Sequence, residues 1–530
     1  MSEQLMQSIV PLLVIVPLLG AALALTVAGK RRLQGYITFG ALIAVAVIGA
    51  ITMVYVAAHG PIAVAVGGWE APYGIVLLAD SLSALLVTVS ALVLLAVLVF
   101  SVGQGLADGD QEAPVSIFYP SYLVLGAGVF DAFVANDLFN LYVAFEILLV
   151  ASYVLLTMGG TEQRIRAGVT YIVVSLVSSV LFLTAIGTIY AATGTVSMAQ
   201  LAGRIAELDP RVQLVLNLLL LIAFGIKAAI FPLSFWLPDS YPTAPAPVTA
   251  VFAGLLTKVG IYAILRTQTL VFVSSDINSV LMVIAGLTLI IGILGAISQR
   301  DIKRILSFTL VSHIGYLLFG VAINTELGFT ATVYYIVHHI VVQTAMFLVV
   351  GMIERFGGTT SLDKLGGLLR SRPLLAVLAF ITMLNLGGIP PFSGFLGKIG
   401  LFTAALHEGQ PLHYAVVGIG TLTSLLTLYV LVRVWSIAFW RPKAAINSKT
   451  AATKILDNLV AAPNVAPQQA SREIPRLMMG ATIGMVAVSV LLTIFAGPLV
   501  RYATGAGAAL VDPTQQISWY QEPTKSQEAP

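Results

Sequence analysis

The 530-residue sequence contains no cysteine, so the chain can form no disulfide, no thiolate zinc site and no iron–sulfur cluster. Charged residues make up only 10% of it, whereas soluble domains carry about 25%. With 58% hydrophobic residues, the composition cannot cover the surfaces of several soluble domains, and it predicts one polytopic membrane domain. The formal net charge of +3 is too small to indicate a nucleic-acid partner.

Long apolar runs fill most of the chain. A membrane-spanning helix needs about 20 apolar residues, and this length divides the sequence into about fourteen spans of an all-α protein. The first run, Ile9 to Val27, follows no basic segment and has no clear cleavage site, so we expect a retained helix rather than a signal peptide. The predicted spans lie near residues 8–28, 36–58, 75–102, 114–134, 137–158, 167–193, 212–236, 247–266, 277–298, 305–322, 327–353, 373–406, 412–440 and 478–500.

Basic residues predict the orientation. With the N-terminus outside and the spans alternating, most Lys and Arg residues fall in inside loops, and both termini lie outside. Residues 441–477 are predicted to form a cytoplasmic loop and residues 504–530 a polar tail. Each can be a solvated connection or a docking segment for a partner. The basic residues left inside spans are Lys227, Lys258 and Lys398.

Two spans are interrupted by residues that break helices. Pro232 opens the proline-rich run FPLSFWLPDSYPTAPAP, and Pro390 and Pro391 lie in GGIPPFSG. Interrupted segments at corresponding places in two halves are typical of transporters built from inverted repeats. Lys227 precedes the first break and Lys398 follows the second. The alternative is a pair of ordinary proline kinks.

Ionisable residues from several spans fall at similar depth. Glu146, Lys227, Lys258, His313 and His338 are predicted roughly 12 to 20 Å from the starts of their spans. A charge near the bilayer centre costs at least about 2.5–3.5 kcal/mol, so such residues usually mark an ion or proton path. Each residue type also has a structural explanation that involves no ion path. The histidines can be hydrogen-bonded structural residues, the lysines can extend to the membrane interface, and the Glu–Lys pair can only stabilise the bundle. Three further carboxylates are expected at the membrane interface because they lie near span ends: Asp80, Asp131 and Asp137.

These residue types permit proton exchange. Burial disfavours the charged form of a lysine. A carboxylate about 4 Å away favours that form by about 4 kcal/mol at an effective dielectric constant of about 20. Making and breaking a contact between Glu146 and Lys227 can therefore decide whether the lysine holds a proton. Histidines between such sites titrate in the appropriate range.

Three motifs carry a resemblance to a known family. They are NDLFNLYVAFEILLVASYVLL, FGIKAAIFPLSFWLPDSYPTAPAPVTAVFAGLLTKVGIYAILR and GGIPPFSGFLGKIG. The sequence resembles the antiporter-like subunits shared by respiratory complex I and Mrp-type cation/proton antiporters, over about residues 75–440. Within that family it looks most like the D-type subunit of Mrp Na⁺(K⁺)/H⁺ antiporters.

The resemblance implies fourteen helices that include two inverted five-helix repeats. It implies the key glutamate at Glu146 and lysines at Lys227, Lys258 and Lys398, with relay histidines at His313 and His338. His339 is added as a candidate because it adjoins His338. The implied organisation is N-terminal helices in 1–113, repeats in 114–270 and 271–440, a loop in 441–477, a last helix in 478–503 and a tail in 504–530.

The implied protein is a transporter subunit without cofactor in a bacterial cytoplasmic membrane. Its expected partners are other Mrp membrane subunits, H⁺ and Na⁺ or K⁺. One position departs from the family pattern: relatives often have lysine where HHIVVQTAMFL places Gln343, and this puts the relay between Lys258 and Lys398 in question. Two alternatives stay open: a proton-pumping subunit of a redox complex, such as complex I or a membrane hydrogenase, and a structural subunit without an ion path.

Overall fold

The computed structural model describes residues 2–69, 71–105, 117–442, 473–512, 514 and 517. The N-terminal part and first repeat contain α1 (Glu3–Ile9), α2 (Leu12–Thr26), α3 (Arg31–His59), β1 (Ile62–Ala65), β2 (Val76–Ala79), α4 (Ser81–Gln104), α5 (Phe118–Val134), α6 (Leu138–Thr157), α7 (Glu162–Thr193), α8 (Met198–Ala206), α9 (Pro210–Ala228), α10 (Leu237–Ser240), α11 (Ala246–Val251) and α12 (Thr257–Arg266). The remainder contains α13 (Asn278–Ser298), α14 (Ile302–Ile323), α15 (Glu326–Gly357), α16 (Leu368–Ser371), α17 (Pro373–Gly387), α18 (Ser393–Glu408), α19 (Pro411–Trp435), α20 (Arg476–Ile494) and α21 (Ala496–Val511).

The predicted all-α membrane fold is confirmed. In the described part of the chain, twelve helices are long and apolar enough to cross a membrane, and two shorter apolar helices, α5 and α17, occupy the other two predicted spans. Short π-helical segments, Phe252–Leu256 and Thr267–Val271, join α11 and α12 into one span from Ala246 to Val271.

Several predicted boundaries need correction. The third span begins at Ser81 rather than near residue 75, because residues 76–79 pair with residues 62–65 in an antiparallel hairpin. Asp80 ends the hairpin and begins α4, since its side chain accepts a hydrogen bond from the Ser83 N–H. The predicted loop 441–477 lies mostly outside the described residues.

The last predicted span, residues 478–500, is divided into two helices. Helix α20 ends at Ile494, and after Phe495 residues 496–511 form α21, so the first part of the predicted polar tail is helical. Small residues allow α21 to lie close against α15: a Cβ at Gly507 would be only 2.6 Å from Thr330 Oγ1. A hydropathy threshold misses α21 because small residues in such a segment contribute packing rather than strong hydrophobicity.

The two helix breaks have matching hydrogen bonds. Ala229, after α9, and Gly388, after α17, both have left-handed backbone conformations, with φ values of 58° and 79°. The next N–H in each case reaches back to the helix: Ile230 donates to the Gly225 carbonyl, and Ile389 donates to the Leu384 carbonyl. Gly388 follows Ala229 by 159 residues, and Ile389 follows Ile230 by the same number.

A second pair of matching contacts lies where each repeat begins its second span. Residues Asp137 and Ser197 form an isolated antiparallel bridge, as do Asp301 and Ser361, 164 residues further along (137 to 301). The equivalent breaks are five spans apart. Since five is odd, the second repeat crosses a membrane in the opposite direction to the first, as the sequence predicted.

The central helices carry Lys258, His313, His338 and His339. In the span from Ala246 to Val271 and in helices α14 and α15, nearly all residues of the most apolar stretch are buried. In α2, α3 and α19 only about a third of these residues are buried. Polar side chains on the three central spans are therefore surrounded by protein rather than by lipid.

Candidate functional site

The first part of the site joins α6, α7 and α9 through a serine. Lys227 Nζ donates a hydrogen bond to Ser179 Oγ at 3.0 Å, and Ser179 Oγ donates to Glu146 Oε1. Lys227 Nζ also lies 3.4 Å from the Ser175 carbonyl and 5.7 Å from the centre of the Phe145 ring. The predicted Glu146–Lys227 pair is thus bridged by a hydroxyl rather than formed by direct contact.

The break in the seventh span positions Lys227. It lies in the last turn of α9, where the free carbonyl groups of a helix end favour a positive charge. A cavity of about 20 Å³, lined in part by Lys227, Phe145 and Tyr171, lies next to the amine. This volume is about that of one water molecule, so a proton carrier can reach the lysine.

Lys258 is the second residue after the π-helical segment Phe252–Leu256. Its side chain is fully buried, and its Nζ donates to the carbonyl of Ala253. Gly260, two residues later, packs against the end of α9, where a Cβ would meet Ala228 N at 2.6 Å. The helix of Lys258 therefore contacts the residue that directly follows Lys227.

Histidines and tyrosines on α14 and α15 form a stacked cluster. The His313 ring lies 5.3 Å from the His339 ring, and the Tyr335 ring lies 5.3 Å from that of His338 and 6.0 Å from that of His339. The Tyr335 hydroxyl is 3.4 Å from His313 Nδ1. All four side chains are fully buried. The charge of Lys258 acts on both His313 and His339, so this lysine belongs to the same electrostatic group.

Lys398 lies next to the cluster, at the break between α17 and α18. Its Nζ donates to the Gly387 carbonyl at 3.2 Å, across the break in the twelfth span, and lies 5.0 Å from the centre of the Tyr316 ring. Its charge acts on His313, His338 and His339. The break thus brings the lysine of α18 against the last carbonyl groups of α17.

A residue at the same break forms a hydrogen bond with His338. Its Nδ1 is 2.9 Å from Ser393 Oγ, which donates to Asn385 Oδ1 at 3.1 Å. The Ser393 N–H donates to Thr493 Oγ1 at 2.8 Å. This network connects α15, both halves of the broken span and the last span.

Several buried polar atoms in this region have no hydrogen-bond partner. They are His313 Nε2, His338 Nε2, both ring nitrogens of His339, and Gln343 Oε1. Buried polar atoms in proteins normally find a partner in protein or ordered water. Their concentration between Lys258 and Lys398 indicates a region in which water completes the hydrogen bonding.

Comparisons with known proteins agree with this geometry. Residues 135–427 match the transmembrane family described as NADH:quinone oxidoreductase/Mrp antiporter. The chain belongs to this family. It is 37% identical to the D subunit of the Na⁺/H⁺ antiporter of Alkalihalophilus pseudofirmus over 97% of this chain and 99% of that one.

Two solved structures are similar to this chain along almost its whole length. One is a chain of the Mrp complex from Dietzia sp. DQ12-45-1b, with a TM-score of 0.86, 33% identity and coverage of 97% of this chain and 99% of that one. The other is a chain of the membrane-bound sulfane sulfur reductase, an archaeal respiratory membrane complex, with a TM-score of 0.84, 25% identity and coverage of 96% and 99%.

Gln343 is buried in this antiporter-family chain. Its Nε2 lies 3.4 Å from the Leu306 carbonyl, and it stands one helical turn after His339. A neutral amide can orient water here but cannot carry a charge. The effect of Gln343 on a relay between Lys258 and Lys398 stays a prediction.

Sequence reasoning missed the neutral partners of the charged residues. These are Ser179, Tyr316, Tyr335, Asn385 and Ser393. The only signal was the presence of polar side chains inside apolar spans, as in the SLVSS run of α7, and it does not distinguish Ser179 from Ser178.

The three carboxylates expected at the membrane interface lie at or near the ends of α4, α5 and α6, and the surrounding protein encloses all three. Asp80 is buried and forms an ion pair of 2.7 Å with Arg266, whose exposure is also only 2%. Asp131 and Asp137 are buried as well. The described residues contain no group of three or more His, Cys, Asp or Glu side chains placed to hold a metal ion.

Proposed function

We propose that this chain is a proton-translocating subunit of an Mrp-type antiporter, which moves H⁺ inward and Na⁺ or K⁺ outward across a bacterial cytoplasmic membrane. The observation that carries the proposal is the polar line from the half-buried Glu146 through the buried Lys227 and Lys258 to the buried Lys398. The likeness to the D subunit of a Na⁺/H⁺ antiporter and to a chain of an Mrp complex supports the assignment.

The first step uses the serine bridge. Ser179 accepts a hydrogen bond from Lys227 and donates one to Glu146, so its hydroxyl can receive one proton while releasing another. The negative charge of Glu146 acts on Lys227. Proton transfer between them changes both charges together, and this coupling makes the pair a switch.

The second step passes from Lys227 to Lys258. The contact of Gly260 with Ala228 holds the two lysine-bearing helices at close approach. Two protonated lysines in a low-dielectric interior repel each other strongly. Occupancy of one site therefore promotes release from the other, which drives protons along the line.

The third step uses neutral groups. His339, His313 and Tyr335 lie between Lys258 and Lys398, and each can accept and donate a proton through ring nitrogens or a hydroxyl. Ser393 fixes His338 at the break beside Lys398. Lys398 then controls exchange at the far end, where α17 and α18 are separated by non-helical residues.

The basic residues support an orientation with both termini outside. In this orientation Lys30, Arg31 and Arg32 face the cytoplasm, as do Arg300, Lys303 and Arg304. Cation exchange requires the other membrane subunits of an Mrp-type complex, as the names of the relatives indicate.

Lys227→Ala in the assembled complex tests the proposal. Among the described residues, Lys227 is the group that the proposed path uses between Glu146 and Lys258, so its removal should lower pH-gradient-driven Na⁺ or K⁺ exchange in everted vesicles by about a hundredfold or more. Lys30→Ala is the control, because Lys30 is exposed at the start of α3. Exchange at the wild-type rate in an assembled Lys227→Ala complex would refute the proposal.

A second candidate follows from the similarity to a chain of a respiratory membrane complex. A subunit of a redox-driven pump would use the same proton line with a different energy source. Co-purification with flavin or iron–sulfur subunits would favour that candidate, whereas co-purification with small membrane subunits alone would favour the antiporter.

A further inference from the structure

A basic segment joins α15 to α17 at the end of the second repeat that faces the cytoplasm in the proposed orientation. Its basic residues are Lys364, Arg370 and Arg372. Its one acidic residue, Asp363, already pairs with Arg300 at 3.6 Å. Among the described residues, no carboxylate oxygen lies within 4.0 Å of the three basic side chains. This part of the chain therefore leaves their charge without a partner.

Arg372 occupies an unusual position for a basic residue, the N-cap of α17. N-cap residues are normally Asp, Asn, Ser or Thr, and a positive charge next to the positive end of a helix dipole is unfavourable. The first repeat has the usual arrangement, since Asp209 precedes Pro210 of α9 and accepts a hydrogen bond from the Arg211 N–H at 2.9 Å. An anion at the start of α17 would interact favourably with both the arginine and the helix end.

The Arg372 side chain is held at the surface by an aromatic ring. Its Cζ lies 4.6 Å from the centre of the Phe356 ring. The residue is partly exposed: its Nε is buried, whereas its two Nη atoms keep accessible surface and make no hydrogen bond with the described residues. Arg370, two residues earlier, is exposed. Two guanidinium groups are thus open to an anion that approaches from outside the chain.

Aromatic side chains border these arginines. Helix α16, which contains Arg370, packs against the π-helical segment Ser436–Trp440. Trp440 is 62% exposed, and its ring lies 6.3 Å from that of Trp435, which lies 4.9 Å from the Phe380 ring of α17. Exposed tryptophan is typical of the boundary between membrane and water. The two arginines therefore lie at the level of the lipid headgroups.

Exposed apolar side chains continue from the arginines along α17. Leu374, Val377 and Phe380 are all exposed and follow one another at intervals of three residues, so they share one face of the helix. An acyl chain would cover this face, whereas a free phosphate ion would make no use of it. Residues 443–472 cannot supply the anion, because they contain four basic residues and one acidic residue.

We propose that the start of α17 binds an anionic phospholipid. The phosphate group contacts Arg370 and Arg372, and an acyl chain lies along Leu374, Val377 and Phe380. Guanidinium groups suit this ligand because they present paired N–H donors to phosphate oxygens, and basic residues near the cytoplasmic leaflet attract anionic lipids. This lipid site goes beyond the proposed function and does not depend on ion exchange.

Arg372→Gln is the most direct test. Binding of radioactive phosphatidylglycerol to the purified assembled complex in neutral detergent should weaken by about tenfold, because a hydrogen bond between charged groups is lost. Arg370→Gln should weaken it by about fivefold, the effect of one basic residue near an anionic headgroup. Arg372→Lys keeps the charge and should retain most of the binding, which would show that the loss in Arg372→Gln does not come from misfolding.

Arg166→Gln is the matched control. It makes the same change of charge at another arginine that faces the cytoplasm in the proposed orientation, but Arg166 is exposed and pairs with Glu162. Binding of phosphatidylglycerol should stay at the wild-type level in this variant. Competition by phosphatidylcholine and by inorganic phosphate should be weak, because the first lacks the net negative charge and the second lacks the acyl chains.

Three results would overturn the lipid site. The first is unchanged phosphatidylglycerol binding in both Arg370→Gln and Arg372→Gln. The second is equal weakening in Arg166→Gln, because the attraction would then be a general property of the basic surface. The third is full displacement of the lipid by inorganic phosphate, which would assign the arginines to a soluble anion. Binding is measured without an ion gradient, so a wild-type complex that exchanges no cations would refute the antiporter proposal and leave this test unaffected.

Discussion

At the residue scale, the main feature is that neutral side chains contact the charged ones. Ser179 lies between Lys227 and Glu146, and the Tyr335 ring stacks on the His338 ring while its hydroxyl lies 3.4 Å from His313 Nδ1. Charged groups placed directly next to one another in a low-dielectric interior are costly. In the proposed mechanism, hydroxyl groups conduct protons between the charged groups without adding charge.

Ser179→Ala removes the bridge but leaves both charges. Proton-driven cation exchange should fall by about ten- to hundredfold, since a hydrogen bond to a charged group is lost on each side. Ser178→Ala is the matched control: the neighbouring serine is equally buried, but its hydroxyl donates to the Ala223 carbonyl, away from the line. Ser179→Thr should restore exchange. Equal effects of the two alanine variants would indicate a packing role for Ser179.

Tyr335→Phe tests the second half of the line in the same way. It keeps the stacked ring but removes the hydroxyl next to His313, so exchange should fall by about tenfold while the complex assembles normally. Tyr334→Phe removes a hydroxyl that lies 3.5 Å from the Leu492 carbonyl, outside the cluster. Vesicle exchange rates that are the same in both variants would exclude Tyr335 from the path.

At the scale of single elements, the helix breaks determine where the lysines lie. The α17 break turns the chain so that Lys398 faces back on the Gly387 carbonyl, and the α9 break places Lys227 at a helix end. Because membrane interiors offer no water to an interrupted helix, such breaks persist only where protein or an internal hydrated region satisfies the backbone.

Gly388→Ala addresses the second break. The glycine has a φ of 79°, and a Cβ there would lie 3.0 Å from Lys398 Nζ. We expect a stability loss of about 1 kcal/mol from the left-handed backbone, together with a loss of exchange because Lys398 is displaced. Gly409→Ala has a similar φ of 69° but meets nothing closer than 3.6 Å. It should therefore lower the thermal stability by a similar amount and leave exchange nearly intact; a parallel loss of exchange in both variants would contradict this explanation.

At the scale of the whole molecule, the N-terminal helices are joined to the first repeat by a buried ion pair. Arg266 Nη1 and Asp80 Oδ2 are 2.7 Å apart, and Arg266 also donates to the Tyr262 hydroxyl, which in turn donates to the Phe133 carbonyl. This network ties the β-hairpin and α4 to the span that carries Lys258. It lies outside the proton line and has a structural role.

Asp80→Asn should destabilise the chain by about 3–5 kcal/mol, because it leaves the Arg266 guanidinium buried without its counter-charge. Thermal unfolding of the purified complex would show the loss as a lower midpoint. Glu162→Gln breaks the exposed pair with Arg166 and should produce no measurable change. A midpoint that stays at the wild-type value in Asp80→Asn would show that the pair does not hold the two parts together.

The sequence by itself determined most of the spans, the two breaks and the three buried lysines inside the spans. Each of these depends on local properties: the length of an apolar run, the missing N–H of proline, and the cost of a charge in lipid. The site residues Lys227, Lys258 and Lys398 could therefore be selected without coordinates. The separate helix α21, which ends at Val511, was missed because its small residues owe their burial to α15.

Only the tertiary structure decided which groups touch. The choice of Ser179 over Ser178, the stacking of the histidines, the Asp80–Arg266 pair and the unsatisfied oxygen of Asp137 all depend on contacts between helices that are distant in the chain. Such contacts are set by the rotation and approach of packed helices, for instance at Gly260 against Ala228. Hydropathy and residue order carry no information about that rotation, so they cannot decide which side chains of different helices meet.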